Sequence, residues 1–157
     1  MDKKFSNLPL RKGVGVALLN KNNQIFVAKR IDNPKDFWQM PQGGIDKGEK
    51  ALEAALRELK EETGIESVKL IREINEEITY HLPDNLLGII WKGKFKGQKQ
   101  KWFIMRFLGK NEEINLKTKY PEFLEWKWIN IENITDKVVD FKLHVYEKIK
   151  TELEDLV

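Results

Sequence analysis

The chemistry available to this chain is concentrated in Arg57-Glu58-Leu59-Lys60-Glu61-Glu62, where three carboxylates fall within five residues. On a helix, a turn of about 100° per residue gathers Leu52, Ala55, Leu56 and Leu59 on one face and sets Glu58, Glu61 and Glu62 along the flank beside it. Glu58 then meets Glu62 at i,i+4 and Glu61 at i,i+3, like-charge pairs that cost an isolated helix roughly a few tenths of a kcal/mol each. A hard divalent cation relieves that repulsion, because Mg²⁺ takes oxygen ligands, commonly one or two carboxylates together with waters and substrate phosphate oxygens. The competing reading is a solvated helix laced with Glu and Lys, in which Arg57 pairs with Glu53 or Glu61 and nothing binds. The chain has no cysteine, which removes disulfides, thiolate metal sites and cysteine nucleophiles. His81 and His144 stand alone, without the Ser or Asp spacing of a triad.

The elements that must position these groups follow from hydrophobic pattern and turn chemistry. Residues 49–63 are helix formers up to Thr63, and Gly64 supplies the stop. Two β-branched runs, 13–19 and 24–30, flank Asn20-Lys21-Asn22-Asn23 and read as a hairpin. FWQMPQGG (37–44) combines aromatics, a proline and a glycine pair, and reads as a loop that brings backbone close to a ligand. Strands are expected over 67–71, 77–81, 86–91, 102–108 and 125–131, with a lysine-rich turn before the fourth. A last helix is expected from a cap at Thr135 or Asp136 to about Leu153, with Val138, Phe141, Val145, Ile149 and Leu153 along one stripe. Strands outnumber two long helices, so the fold class is α+β, or a layered α/β/α sandwich around a mixed sheet.

Composition bounds the rest. At 157 residues the chain has the size of one domain, read here as residues 1–157 without a linker. It is 41% hydrophobic and 34% charged, too apolar for disorder and too charged for a membrane protein. With 28 basic and 25 acidic residues the formal charge is +3, so the placement of charge matters more than its sum. The first thirteen residues lack the apolar core of a secretion signal, and VGVALL (14–19) and LLGII (86–90) fall far short of the ~20 residues of a membrane span. A cytoplasmic protein with no membrane or DNA partner is expected.

The offsets around the acidic helix form a larger pattern. Gly43, Glu49, Arg57-Glu58-Leu59, Glu61-Glu62, Gly64 and apolar Ile65 occur in GGIDKGEKALEAALRELKEETGI, which resembles the Nudix box at every position. The resemblance implies a loop–helix–loop packed on a mixed sheet, a diphosphate linkage as substrate, and a divalent cation, Mg²⁺ or alternatively Mn²⁺, in unspecified number. It implies Glu58, Glu61 and Glu62 as metal ligands and catalytic groups, with Gly43 at the metal. Arg57 and Glu49 would orient the helix and its carboxylates, and Gly44 and Gly64 would shape the motif. Phosphoanhydride hydrolysis needs the polyphosphate charge offset and a water aimed at phosphorus, which a metal can supply. The base that takes the water's proton stays open among Glu61, Glu58 and a downstream glutamate.

Outside the box, FWQMPQGGID, GQKQKWF, PEFLEWKWI and VVDFKLHVY are similar to the bacterial RNA pyrophosphohydrolase and dinucleoside polyphosphate hydrolase branches of that family. The likeness implies conversion of an RNA 5′-triphosphate to a 5′-monophosphate, an end that initiates RNA decay. The alternative substrate is a dinucleoside polyphosphate, and a third possibility is a Nudix-shaped binding module without turnover. Protein partners are unspecified. Glu122 matches the branch's downstream glutamate, implied in metal binding or proton abstraction, against the plain reading of an exposed Glu beside a proline. Arg30, Phe141 and Lys142 match positions near the substrate's terminal nucleotide, where an aromatic face and a cation suit a splayed base and its phosphate. Phe141 also fits the apolar stripe. Arg11 could likewise meet phosphate. WKGKFKGQKQKW (91–102) carries five lysines and no acid, and Lys99 and Lys101 read either as phosphate contacts or as a solvated hairpin tip. Trp102, Trp126 and Trp128 lie in apolar strands and read as packing.

Overall fold

The computed structural model describes residues 5–33 and 35–157. β1 (Leu10–Leu19) carries Val14, Val16 and Leu18 on one face and Ala17 and Leu19 on the other, all buried, which explains why its sequence is a continuous apolar run rather than an alternating one. It runs parallel to β6 (Gly97–Phe107), from Leu10 opposite Gly97 to Leu19 opposite Arg106. Among the described residues the other strand pairings are antiparallel. β4 (Val68–Glu73) and β5 (Ile78–His81) share β6, and β2 (Gln24–Arg30) pairs with β7 (Phe123–Asn130), giving the path β4-β6-β1-β2-β7.

Each face of this mixed sheet is covered by one long helix. α1 (Ala51–Thr63) presents Ala54, Ala55 and Leu59 to Val14, Val16, Leu18, Phe26 and Phe103. It ends where Gly64 takes φ 75°, and the Gly64 N–H reaches the Lys60 carbonyl at 2.8 Å. α2 (Leu143–Leu156) presents Val145, Tyr146, Ile149 and Leu153 to Ala17, Leu19, Ile25, Trp102 and Ile104 on the opposite face. The expected three-layer α+β arrangement is therefore the observed one. Trp102 packs edge-on against Tyr146, and Trp126 and Trp128 surround Phe26, as packing residues do. Among the described residues no helix is long and apolar enough to cross a membrane.

The hairpin between β1 and β2 closes across Asn20–Asn23, where the Asn20 side chain accepts from the N–H groups of Asn22 and Gln24 at 2.9 Å each. Farther along, the two strands part and another segment enters between them. β3 (Gln42–Gly44) pairs with Gly13, Val14 and Gly15 of β1, while Gln39 exchanges both backbone hydrogen bonds with Ala28 of β2. The stretch expected as a loop is thus largely extended and incorporated in the sheet, because its backbone donors and acceptors find partners on both sides. This split in the sheet is the floor of the cavity described below.

Other expectations need correction. Residues 86–91 form no strand: the N–H groups of Leu86 and Leu87 turn back to the Pro83 carbonyl, those of Ile89 and Ile90 to Leu86, and Gly88 takes φ 78°. β6 starts at Gly97, five residues before the expected boundary, because Gln98 and Gln100 are its buried positions there. The last helix starts at Leu143 rather than near Asp136, since the Lys137 carbonyl accepts from the Trp38 N–H at 2.8 Å and Val139 is extended. Phe141 and Lys142 therefore lie in a short 3₁₀ turn ahead of α2. On α1, Leu56 is exposed and Ala54 takes its place in the core.

α2 is fastened to the inserted segment by one buried hydrogen bond, in which the Met40 N–H donates to the Tyr146 hydroxyl at 2.8 Å. Tyr146→Phe leaves that N–H without a partner and is expected to lower unfolding free energy by about 1–3 kcal/mol. Denaturant titration with an unchanged m-value is the check.

Candidate active site

The geometry begins with Arg57, whose fork reaches five oxygens. Its Nε and Nη2 grip both carboxylate oxygens of Glu49 at 2.8 and 2.9 Å, and Nη2 also donates to the Gly44 carbonyl at 2.8 Å. Nη1 donates to Glu58 at 2.9 Å and to Glu61 at 3.1 Å. A residue on the helix thereby holds the preceding loop, β3 and two of the carboxylates in one arrangement. Glu49 accepts from the Asp46 N–H as well, and these bonds pull its carboxyl down to about 2.

The three box glutamates then diverge in environment. Glu62 is buried, with one carboxylate oxygen lacking any hydrogen-bond partner. Burial, followed by the nearby carboxylates of Glu122 and Glu58, raises its pKa well above the ordinary range. Glu58 has a side chain only 14% exposed and lies over Gly43 so closely that a Cβ there would stand 2.1 Å from its Cδ. Burial raises Glu58 too, opposed by Arg57. Glu61, at 59% exposed, pairs with Arg57 at 3.1 Å.

Glu58, Glu62 and Glu122 meet at a cavity of about 530 Å³ in the split of the sheet. Arg11, Arg30, Phe141 and Lys142 line it together with Gly43. Arg30 is clamped by Asp32 through two bonds of 2.8 and 2.9 Å. Lys142 is buried, its Nζ 5.3 Å from the Tyr80 ring centroid. Burial and then neighbouring Arg30 lower its pKa to about 7. Phe141 packs against Tyr80 at 5.7 Å while still facing the cavity, so it serves both the core and the site.

Most of the sequence-derived site residues are brought together here, with three exceptions besides Glu61. Lys99 and Lys101 do not line the cavity: the two-residue period of β6 turns Gln98 and Gln100 inward, leaves Lys99 exposed, and lets Lys101 pair with Glu73 at 2.9 Å. Gly64 stays at the far end of α1, in its capping role.

Sequence reasoning missed a buried polar ladder under the site. The Tyr80 hydroxyl and Gln100 Nε2 both donate to Gln98 Oε1, at 2.9 and 3.2 Å, and Gln100 Nε2 also donates to Gln42 at 2.9 Å. Gln98 Nε2 donates to the Gly43 carbonyl at 3.2 Å, and the Trp102 indole N–H donates to Gln100 at 3.1 Å. The alternation of Gln with Lys was the available signal, although polar residues at inward positions disguise a strand.

Among the described residues no three carboxylate or imidazole side chains already stand in metal-binding spacing. The residues nevertheless fit a hard divalent cation: the donors are all oxygen, Glu62 presents an unpartnered buried carboxylate oxygen, and only a glycine at position 43 leaves room for Glu58.

Lys142 also carries a stability consequence. Folded, it releases its proton near 7; unfolded, near 10.5. Between those values the unfolded chain binds the extra proton, so this residue makes stability rise with pH through that window. Lys142→Met is expected to flatten that rise and to raise the thermal midpoint at neutral pH, as read from melting curves of both proteins between pH 6 and pH 10.

The chain matches the NUDIX domain family over residues 9–149. It is 67% identical to a protein named RNA pyrophosphohydrolase from Pelagibacter ubique, with 96% of each chain covered. It is 45% identical to one of the same name from Orientia tsutsugamushi, covering 96% of this chain and 93% of that one. Among solved structures it is similar to the E. coli dihydroneopterin triphosphate pyrophosphohydrolase, at TM-score 0.68 and 20% identity over 92% of this chain and 99% of the other. A C. elegans Ap4A hydrolase gives TM-score 0.63 and 19% identity over 91% and 98%. A likeness of that extent, running through the box and both flanks, makes the chain a member of the Nudix hydrolase family.

Proposed function

We propose that this chain is a divalent-metal-dependent RNA pyrophosphohydrolase, which hydrolyses the 5′-triphosphate of RNA to a 5′-monophosphate. The observation that carries the reading is the charge division within one cavity: Glu58, Glu62 and Glu122 on one side, Arg11, Arg30 and Lys142 on the other, with Phe141 beside them. Carboxylates alone would repel a polyphosphate, and arginines alone would bind it without hydrolysis. Together they suit a phosphate chain held between a cation on the carboxylates and the basic side chains. The identity to proteins named RNA pyrophosphohydrolase supports RNA as the substrate class.

In this reading Glu58, Glu62 and Glu122 hold the cation, with Gly43 at its edge, and Mg²⁺ is the preferred ion. When bound, the ion offsets polyphosphate charge and polarises the attacking water. Arg57 and Glu49 fix the helix and loop so that Glu58 stays over Gly43. Arg11 and Arg30 bind phosphate oxygens, and Phe141 offers its face to a base while Lys142 supplies a nearby donor. A carboxylate of the site takes the proton of the attacking water, the anhydride bond breaks, and the leaving phosphate carries the electron pair away.

Incubation with 5′-triphosphorylated RNA and Mg²⁺ is expected to yield 5′-monophosphorylated RNA. Failure to convert it, alongside rapid cleavage of a dinucleoside tetraphosphate, would replace the RNA reading with the dinucleotide one. Glu62→Gln is expected to lower turnover by about a hundredfold or more, given the several kcal/mol a metal contributes. Its thermal midpoint should not fall, because a neutral amide replaces a buried group whose ionisation is disfavoured. Retained turnover would indicate that Glu62 holds no catalytic cation.

A further inference from the structure

Arg11 is the cavity's uncommitted guanidinium among the described residues. Arg30 is tied to Asp32 and Lys142 is buried, whereas the Arg11 side chain makes no ion pair or hydrogen bond among the described residues. Its guanidinium carbon lies 5.2 Å from the centroid of the Trp91 ring. It also passes Gly44, where a Cβ would stand 2.4 Å from Nη2. An aromatic face and a bare glycine thus define where the guanidinium lies and consume none of its donors.

Trp91 reaches that position through an unusual backbone. Trp91 has φ 52° and ψ 36°, Lys92 has φ 57° and ψ 26°, and Gly93 follows at φ 72°. Among the described residues the other non-glycine with positive φ is Asn23, in a hairpin turn where asparagine is well tolerated. A bulky aromatic in the left-handed region is strained and persists only where its surroundings over-determine it. They do so here. The Lys94 N–H donates to the Trp91 carbonyl at 3.2 Å, the Trp91 ring meets Phe95 edge-on at 6.1 Å, and a Cβ at Gly93 would come within 2.9 Å of the Gly88 carbonyl oxygen.

We propose that Trp91 is a positioning residue for phosphate recognition: its strained turn presents the indole to Arg11 and holds that guanidinium, donors free, where a polyphosphate enters. The inference rests on the polyphosphate-hydrolase reading above and does not depend on which nucleotide carries the chain. Its function would be to reduce the ordering that Arg11 must undergo on binding, since a long side chain held in place loses less freedom when it meets its ligand.

The test is a double-mutant cycle on Trp91→Leu and Arg11→Gln, read by calorimetric binding of inorganic pyrophosphate and by kcat and KM on triphosphorylated RNA. A cation–π contact corresponds to about a two- to thirtyfold change in affinity, so Trp91→Leu is expected to weaken pyrophosphate binding within that range and to raise KM more than it changes kcat. In the Arg11→Gln background the same change should have no further effect. Trp91→Phe keeps a weaker aromatic face and should give an intermediate, Arg11-dependent loss, which carries the test if leucine impairs folding. Wild-type affinity in both variants, or an equal loss with Arg11 absent, would overturn the assignment. Should pyrophosphate binding couple the two residues while no triphosphorylated RNA is converted, the RNA reading falls and the role of Trp91 stands.

Discussion

The site depends on one guanidinium. Arg57 spends its fork on a loop carboxylate, a β3 carbonyl and two helix carboxylates, and so fixes the relation between α1 and the segment that splits the sheet. The requirement is geometric as well as electrostatic. A lysine would supply the same charge from a single point and could not grip both Glu49 oxygens while reaching Gly44. Because Arg57 neutralises part of the local acidity, the like-charged glutamates can share a flank without disrupting their helix.

Beyond that anchor, the site is built from groups held away from their preferred ionisation. Burial works against charge on Glu62 and Glu58 and against charge on Lys142, so a carboxylate cluster and a lysine of opposite sign occupy one low-dielectric cavity, each poorly solvated. Such an arrangement favours the unfolded chain at these positions and is retained where a ligand supplies the missing countercharges. The stability comes from elsewhere, chiefly from the two helix-covered faces of the sheet.

Much of this was legible in the sequence, and the failures have physical causes. The box was readable because its residues are fixed by local helix geometry: Glu49 and Glu58 both meet Arg57 within the span of one loop and one helix. The hairpin was readable because Asn20 makes its turn with its own side chain. The start of β6 was hidden because its inward residues are glutamines that satisfy one another, so burial there carried no hydrophobic signal. The late start of α2 depends on a Trp38 N–H distant in sequence, and no local propensity reports a carbonyl claimed from outside. Lys99 and Lys101 illustrate the same limit, since a charge run read as a unit is divided by the period of the strand. Glu61 belongs to the motif, yet its present partner is Arg57 rather than the cavity.

The split between β1 and β2 has a consequence for how such a cavity can change. Its floor is bounded by main-chain pairing at Gln39, Gln42 and Gly44, with Glu58 held over Gly43, whereas its outer walls come from separate segments around Trp91 and Phe141. Side-chain replacement can remodel those walls without widening the floor, because strand spacing is the same for nearly any residue type. Under the proposed function, the carboxylates and the residues facing the nucleotide thereby stand on different parts of the architecture, and the second set is open to change while the first is kept.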